Sequence, residues 1–186
     1  MAIAYFYMTA QGKKIVDQLS QVYPGEIFDK TNYKEGIKAF WQKDNALIFI
    51  MATGIVVRHI APYIQSKDQD PAVVVCDQNG SFAISLLSGH LGGANELARK
   101  IAKLLHGQAV ITTATDVVNV PAMDEFAKKN HLKIENIHEM KYVSGAMVEQ
   151  KPLKILTQWQ IKGSFPKNVQ VFDLSKCDQD EWKKLC

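Results

Sequence analysis

The sequence has 186 residues, of which 47% are apolar and 22% are charged, and its formal net charge is +3. These values are typical of one globular core or of one domain with a small appendage, and they exclude a disordered or fibrous chain. The basic residues are scattered along the chain, so they do not indicate a nucleic-acid partner and agree better with a small anionic ligand.

Strands and helices alternate along the first part of the chain. Apolar runs predict strands over residues 2–8, 46–52, 72–76, 81–85 and 109–112. Helices are predicted over residues 10–20, 35–41, 53–64 and 93–106, the last with an apolar stripe at helical spacing. Asn79 and Gly80 suit a tight antiparallel hairpin because both residue types tolerate positive φ. The alternation predicts a three-layer α/β/α domain with a mostly parallel sheet over residues 1–120.

The pattern changes after Asp116. Residues 121–130 and 134–150 read as helices, residues 153–158 as a strand, and residues 162–168 as a turn. We therefore expect a second, smaller α+β segment over residues 121–186.

The cysteines and the N-terminus favour a reduced, cytoplasmic setting. Cys76, Cys177 and Cys186 are odd in number and far apart, with no CxxC pair. The first basic residues follow the initial apolar run instead of preceding it, which indicates a strand and not a signal peptide. No apolar run approaches the roughly 18 residues that a membrane span needs, so no membrane partner is expected.

Three segments follow predicted strands, at residues 51–58, 86–95 and 112–116. Ligands of open α/β sheets bind beyond the carboxyl ends of the strands, where loops and helix N-termini converge. We therefore expect the three segments to meet at one edge of the sheet and to form the floor of one cleft.

The stretch LLSGHLGGAN, residues 86–95, is the most unusual of the three. Its glycines would let the backbone turn sharply beside a ligand, or they would only cap the following helix. Their spacing does not match GxGxxG, which argues against a dinucleotide site. His90 is a candidate acid or base near neutral pH, with a structural loop residue as the alternative. Residues 112–116, TTATD, have two interpretations: their polar side chains bind a ligand, or they form the end of a strand followed by a helix cap.

Four motifs in order give the chain a family resemblance. GIVVR, K..DPAVVV, LLSGHLGGAN.LA and ITTATD together resemble the N-terminal domain of the cobalamin-biosynthesis CbiG family, the cobalt-precorrin-5A hydrolases. The resemblance covers residues 45–120 most clearly, and the stretch after residue 121 is similar to the family's central region. Members of that family continue into a further C-terminal domain, which we expect to be absent here or supplied as a separate polypeptide.

The resemblance implies a function and a set of site residues. The family opens a δ-lactone on cobalt-precorrin-5A and releases acetaldehyde, and because the cobalt belongs to the substrate, no cofactor or protein-bound metal is expected. The resemblance suggests His90, Ser88 and Asp116 as catalytic residues, with N–H groups around residues 92–94 facing the developing oxyanion. The suggested substrate-binding residues are Gly54, Arg58, Lys67, Gly89, Gly92, Gly93, Asn95, Glu96, Thr112, Thr113 and Thr115.

Other functions remain open from the sequence. The chain could bind a corrinoid without catalysis, or form one half of a split enzyme with a C-terminal-domain partner or other corrin-pathway enzymes. A regulatory domain for a small anion or nucleotide is the third alternative, and the absence of a phosphate loop argues against it. A homodimer is compatible with all three.

Overall fold

The structure is a computed structural model that describes residues 2–161 and 165–176. Its internal contacts divide the chain into two units, Met1–Thr112 and Thr113–Cys186, so the division falls before residue 120. No helix in the described ranges is long and apolar enough to cross a bilayer.

The first unit contains a six-stranded sheet with helices between its strands. The strands are β1 (Ile3–Tyr7), β2 (Glu26–Phe28), β3 (Ala46–Ile50), β4 (Ala72–Cys76), β5 (Phe82–Leu87) and β6 (Gln108–Val110). The helices are α1 (Ala10–Val22), α2 (Tyr33–Phe40), α3 (Thr53–Ile60) and α4 (Ala94–Leu105). The strands lie in the order β2-β1-β3-β4-β5-β6. The predicted strands and helices are confirmed with shifted ends, and β2 is an addition to them.

Helices cover both faces of this sheet. Residues of α1 and α4, such as Leu19 and Ile101, pack with Tyr5 and Ile48 on one face. Ile37 of α2 and residues of α3 pack on the opposite face. The central strands β3 and β4 are buried throughout their length, as expected for apolar runs in a parallel sheet that is covered on both sides. The predicted three-layer α/β/α architecture is confirmed.

The hairpin between β4 and β5 sets the direction of the last two strands. Strands β1 to β4 are mutually parallel, β5 is antiparallel to β4, and β6 is parallel to β5. The turn is held by the Asp77 carboxylate, which accepts the N–H groups of Asn79 at 2.8 Å and Phe82 at 2.7 Å. Gly80 adopts a φ of +73° there, a conformation that glycine takes without steric cost.

This reversal gives the sheet two distinct edges. We call the edge at the carboxyl ends of β1, β3 and β4 the first edge. The opposite edge, at the carboxyl ends of β5 and β6, is the second edge, and the amino end of β4 lies there too.

The second unit consists of short helices and a small sheet. Its helices are α5 (Ala114–Val117), α6 (Met123–Lys129) and α7 (Met140–Val148). Strands β7 (Leu153–Thr157) and β8 (Val169–Asp173) pair in parallel. The two longer helices and β7 agree with the sequence prediction, whereas β8 was not predicted. Part of the predicted turn, residues 162–164, lies outside the described residues.

Candidate functional site

The loop of residues 88–93 connects β5 to α4 and folds back on the start of its own helix. The Ala94 N–H donates to the Ser88 carbonyl at 3.2 Å, and the Asn95 N–H donates to the Gly89 carbonyl at 3.0 Å. Ser88 has a φ of +55° and Gly93 a φ of +87°, so the chain passes through the left-handed region at both ends of the loop. A glycine at residue 93 removes most of the steric cost of that conformation.

Two further glycines are required by close packing. A Cβ at Gly89 would lie 2.6 Å from Asn95 Oδ1, and a Cβ at Gly92 would lie 2.6 Å from the Ser88 Cβ. Asn95 is fully buried, and its Oδ1 accepts a 2.7 Å hydrogen bond from Ser85 Oγ. The glycine pattern therefore serves a tightly closed turn over a buried amide.

A second loop, residues 64–70, is attached to the 88–93 loop. Ser88 Oγ donates to the Asp70 carbonyl at 3.0 Å. The Asp70 side chain is 4% exposed and accepts the Gln65 N–H at 3.0 Å, which closes the 64–70 loop on itself. Lys67 lies exposed in the turn between these residues. The lysine therefore belongs to the second edge, beside the loop that carries His90.

The second edge brings together most of the predicted site residues of the first unit. His90 is partly exposed in the 88–93 loop, and Thr112 follows β6 at the same edge. The predicted residues placed there are Lys67, Ser88, Gly89, His90, Gly92, Gly93, Asn95, Glu96 and Thr112. The sequence analysis missed Asp70 and Ser85, although Asp70 falls within the DPAVVV motif.

Gly54 and Arg58 lie elsewhere, and the expectation of one shared edge for all three segments is wrong for residues 51–58. Helix α3 begins at the carboxyl end of β3, on the first edge. Arg58 folds back along this helix, where its Nη1 donates to the Gly54 carbonyl at 3.0 Å. The physical reason is the hairpin: it reverses β5 and β6, so the loop after β5 lies at the opposite edge from the loop after β3.

Two of the expected oxyanion donors, the N–H groups of Gly93 and Ala94, also need correction. The Gly93 N–H donates to the His90 carbonyl at 3.1 Å, and the Ala94 N–H donates to the Ser88 carbonyl at 3.2 Å. Both N–H groups therefore bond to carbonyls of the loop itself. In a longer loop these N–H groups at the helix start would be left without a backbone acceptor and could bind a ligand.

Thr113, Thr115 and Asp116 belong to the second unit. Thr113 precedes α5, and its carbonyl accepts the Val117 N–H at 3.1 Å. Thr115 is buried, and Asp116 lies in the first turn of the helix. Their role in a site stays a prediction.

His59 has a structural environment. Its Nε2 lies 2.7 Å from the Tyr33 hydroxyl, and its Nδ1 lies 2.7 Å from the Ile55 carbonyl. Since a carbonyl oxygen only accepts, Nδ1 carries the proton, and in the neutral ring Nε2 accepts from Tyr33. The ring thereby ties α2 to α3.

The first edge contains a cleft of about 420 Å³. Residues after β1 and β3, such as Met8 and Ala52, line it together with Phe82 at the start of β5. Most of its lining residues are apolar, among them Ile55 and Phe82, which are 37% and 47% exposed. It is a second place where this fold could take a ligand.

No group of three or more His, Cys, Asp or Glu side chains in the described ranges is arranged to hold a metal ion. Cys76 is buried in β4, and burial together with the nearby Asp77 charge raises the pKa of its thiol to about 12. The thiol is therefore protonated at neutral pH and unsuited to act as a nucleophile.

Comparison with known proteins adds family information to this geometry. The family described as Cobalamin synthesis G N-terminal matches residues 35–116, and the family described as Cobalamin biosynthesis central region matches residues 121–182. The chain is similar in structure to a cobalamin biosynthesis protein G homolog from Sulfolobus solfataricus, with a TM-score of 0.56 and 23% identity. That alignment covers 91% of this chain and 52% of the other.

Sequence relatives agree. A cobalt-precorrin-5A hydrolase from Salmonella typhimurium is 40% identical over 148 residues, which are 73% of this chain and 42% of the relative. A cobalt-precorrin-5A hydrolase from Priestia megaterium is 36% identical over 142 residues, 73% of this chain and 38% of the relative. A relative from Methanocaldococcus jannaschii is 34% identical over 97% of this chain and 55% of its own. The chain thus spans about half or less of these relatives. With both family regions matched in order, the chain belongs to the CbiG family and carries its N-terminal and central regions.

Proposed function

We propose that the chain acts in the cobalt-precorrin-5A hydrolase reaction and that the 88–93 loop carries the catalytic group. The observation that carries this proposal is the loop itself: it is fixed to the 64–70 loop and to Asn95, and it holds the partly exposed His90 at an edge of the sheet. Fixed geometry of this kind is what a catalytic group requires. The relatives named cobalt-precorrin-5A hydrolase support the choice of reaction.

The reaction consumes one water. Water adds to the lactone carbonyl and the ring C–O bond breaks, which leaves a carboxylate on the macrocycle and frees a hydroxyl on the two-carbon fragment. Loss of that hydroxyl proton then breaks the C–C bond to the ring. The electron pair passes to the macrocycle, and the fragment leaves as acetaldehyde. The cobalt stays in the substrate throughout, so the protein supplies proton transfer and binding.

In this proposal His90 removes the proton from the attacking water. A positioned histidine base contributes about 10²- to 10⁴-fold to such a step. The Ser88 hydroxyl already donates to the Asp70 carbonyl, so Ser88 takes part only as an acceptor and otherwise positions the loop. Asp116 belongs to the second unit, and its part in catalysis stays a prediction.

Substrate carboxylates are the natural partners for the cation at this edge. Lys67 is exposed on the 64–70 loop and can pair with an acetate or propionate arm. Gly89 and Gly92 shape the closed loop, and Glu96 and Thr112 are the further binding residues proposed at this edge. Gly93 and Asn95 have structural roles, because Gly93 adopts a φ of +87° and Asn95 is fully buried. Thr113 and Thr115 belong to the second unit, and their part in binding stays a prediction. Arg58 is excluded from this set because it lies at the first edge.

Acetaldehyde release tests the proposal. The purified chain is incubated with cobalt-precorrin-5A, alone and with the C-terminal region of a full-length relative added, and acetaldehyde is measured by coupled reduction with NADH. Release in either sample is the expected result. Binding of the substrate without release in both samples would assign the chain to corrinoid binding alone.

A further inference from the structure

A cavity of about 510 Å³ lies in the second unit, whereas the 88–93 loop belongs to the first unit. It is formed by α6, the start of α7 and the end of β7 with the residues that follow it. Its size is within the range of small-molecule sites. Most of its lining is apolar, including Met123, Phe126, Met140, Ile155 and Ile161.

An exposed indole stands at this cavity. Trp159 lines it and is 68% exposed, an unusual state for the largest apolar side chain. The backbone beneath the indole is fixed, because Thr157 Oγ1 accepts the Trp159 N–H at 3.0 Å and donates to the Trp159 carbonyl at 3.1 Å. The backbone that carries the indole is thus held in place before any ligand arrives, which lowers the entropic cost of ordering this segment on binding.

The charge at the cavity is positive. Among the lining residues that the structure describes, Lys133 is the charged one, and it is exposed. Leu132 next to it is 49% exposed, so apolar surface and cation adjoin each other. Asp173 lines a neighbouring depression that Trp159 also borders, and its carboxylate accepts hydrogen bonds from the Ser175 N–H at 3.0 Å and the Ser175 hydroxyl at 2.6 Å.

A ligand with a flat apolar face and a carboxylate at its rim would match the exposed indole and the neighbouring lysine of this cavity. Aromatic side chains favour offset stacking on conjugated rings, and an ammonium group pairs with a carboxylate at the boundary of such a contact. We propose that this cavity binds an edge of a tetrapyrrole polycarboxylate, with Trp159 stacked on the ring face and Lys133 paired with a carboxylate arm. The choice of ligand class rests on the proposed function, whereas the site is separate from the 88–93 loop.

Calorimetric titration with cobyrinic acid, a cobalt corrinoid polycarboxylate, tests this site. Trp159→Ala removes the stacking surface and weakens binding about tenfold, since a contact of about 1.4 kcal/mol corresponds to that factor. Lys133→Gln weakens binding two- to fivefold and reduces its salt dependence. Trp41→Phe is the matched control, because Trp41 packs against Tyr63 in the first unit. The affinity of this variant for cobyrinic acid stays at the wild-type value.

The wild-type chain gives a second readout. Corrinoids absorb in the range of tryptophan emission, so bound corrinoid quenches Trp159 fluorescence, and the quenched amplitude falls in Trp159→Phe. Unchanged affinity in both Trp159 variants, with wild-type circular dichroism, would overturn the proposal. Lack of corrinoid binding by the wild-type chain would overturn it as well. Self-association that is lost in Trp159→Ala, without corrinoid binding, would identify the surface as a contact between copies of the chain.

The two proposals fail separately. Binding that depends on Trp159 without acetaldehyde release would retain this site and remove the hydrolase proposal. Acetaldehyde release together with an unchanged Kd for cobyrinic acid in Trp159→Ala would retain the hydrolase proposal and remove this site.

Discussion

Asn95 Oδ1 accepts a 2.7 Å hydrogen bond from Ser85 Oγ and stands where it would meet a Cβ on Gly89 at 2.6 Å. One buried amide therefore joins the end of β5 to the first turn of α4 and determines which residue can occupy the loop between them. The loop that carries His90 owes its shape to this contact and to the Ser88 bond to Asp70.

Replacing Gly89 with alanine is expected to lower the free energy of unfolding by about 1–3 kcal/mol, the usual cost of overpacking a site that cannot relax. Asn95 cannot retreat without losing its bond to Ser85. Gly54→Ala is the matched control, because a Cβ there would meet only the end of the long Arg58 side chain at 3.3 Å, and the stability of this variant is expected to stay at or slightly above wild type. Urea unfolding of both variants measures the difference. Equal stabilities would show that the loop yields easily.

Replacing His90 with asparagine is expected to lower acetaldehyde release by roughly 10²- to 10⁴-fold while Tm stays within a few degrees of wild type. His106→Asn is the control with the same substitution. His106 is exposed after α4 with a φ of +53°, which asparagine tolerates, so this variant keeps both activity and stability. A large loss of stability with near-normal activity in His90→Asn would instead make His90 a structural residue.

Lys67→Ala is expected to weaken corrinoid binding severalfold at low salt, and the difference from wild type shrinks as salt rises. Arg58→Ala leaves the affinity unchanged, because its guanidinium lies at the first edge on the Gly54 carbonyl. Absorbance titrations at two salt concentrations compare the two variants. If Arg58→Ala alone weakened binding, the substrate would have to be assigned to the first-edge cleft.

The buried phenol of Tyr5 predicts a loss of stability in alkali. Its hydroxyl donates to the Tyr23 carbonyl at 2.6 Å, and burial, aided by the charge of the Tyr23 phenolate, raises the pKa of Tyr5 to about 12. The unfolded chain ionises near pH 10. The stabilisation is therefore complete below about pH 10 and is lost as the pH rises to about 12.

Tyr5→Phe removes this dependence and loses one hydrogen bond, at a cost of about 1 kcal/mol at neutral pH. The difference in unfolding free energy between wild type and Tyr5→Phe, measured from pH 8 to pH 12, should shrink toward high pH. A difference that stays constant over that range would contradict the buried, protonated phenol.

Much of the fold could be predicted because the central strands carry their own signal. ALIFI and AVVVC are uninterrupted apolar runs, and a strand buried on both faces needs that composition. The three residues of β2 have no such signal, because Glu26 and Ile27 are exposed and only pairing with β1 makes them a strand. The alternation in β8, Val169-Gln170-Val171, was present in the sequence and could have been found.

The site was predicted only in part. The glycines and His90 could be found from their composition and position between a strand and a helix. The sequence predicted the hairpin, but not its consequence that the loop after β5 lies at the opposite edge from α3. Asp70 and Asn95 both lie in motifs that the sequence showed, but their structural roles depend on contacts with Ser88 and Ser85 that only the folded chain makes.

The reversal at the β4–β5 hairpin has a kinetic consequence. The first-edge cleft and the 88–93 loop lie at opposite ends of β4 and β5, strands of five and six residues, or roughly 17–20 Å apart at about 3.4 Å per residue. A compound that fills the cleft beside Phe82 does not occupy the space around His90. Inhibition by such a compound is therefore expected to be non-competitive and to act through the strands themselves.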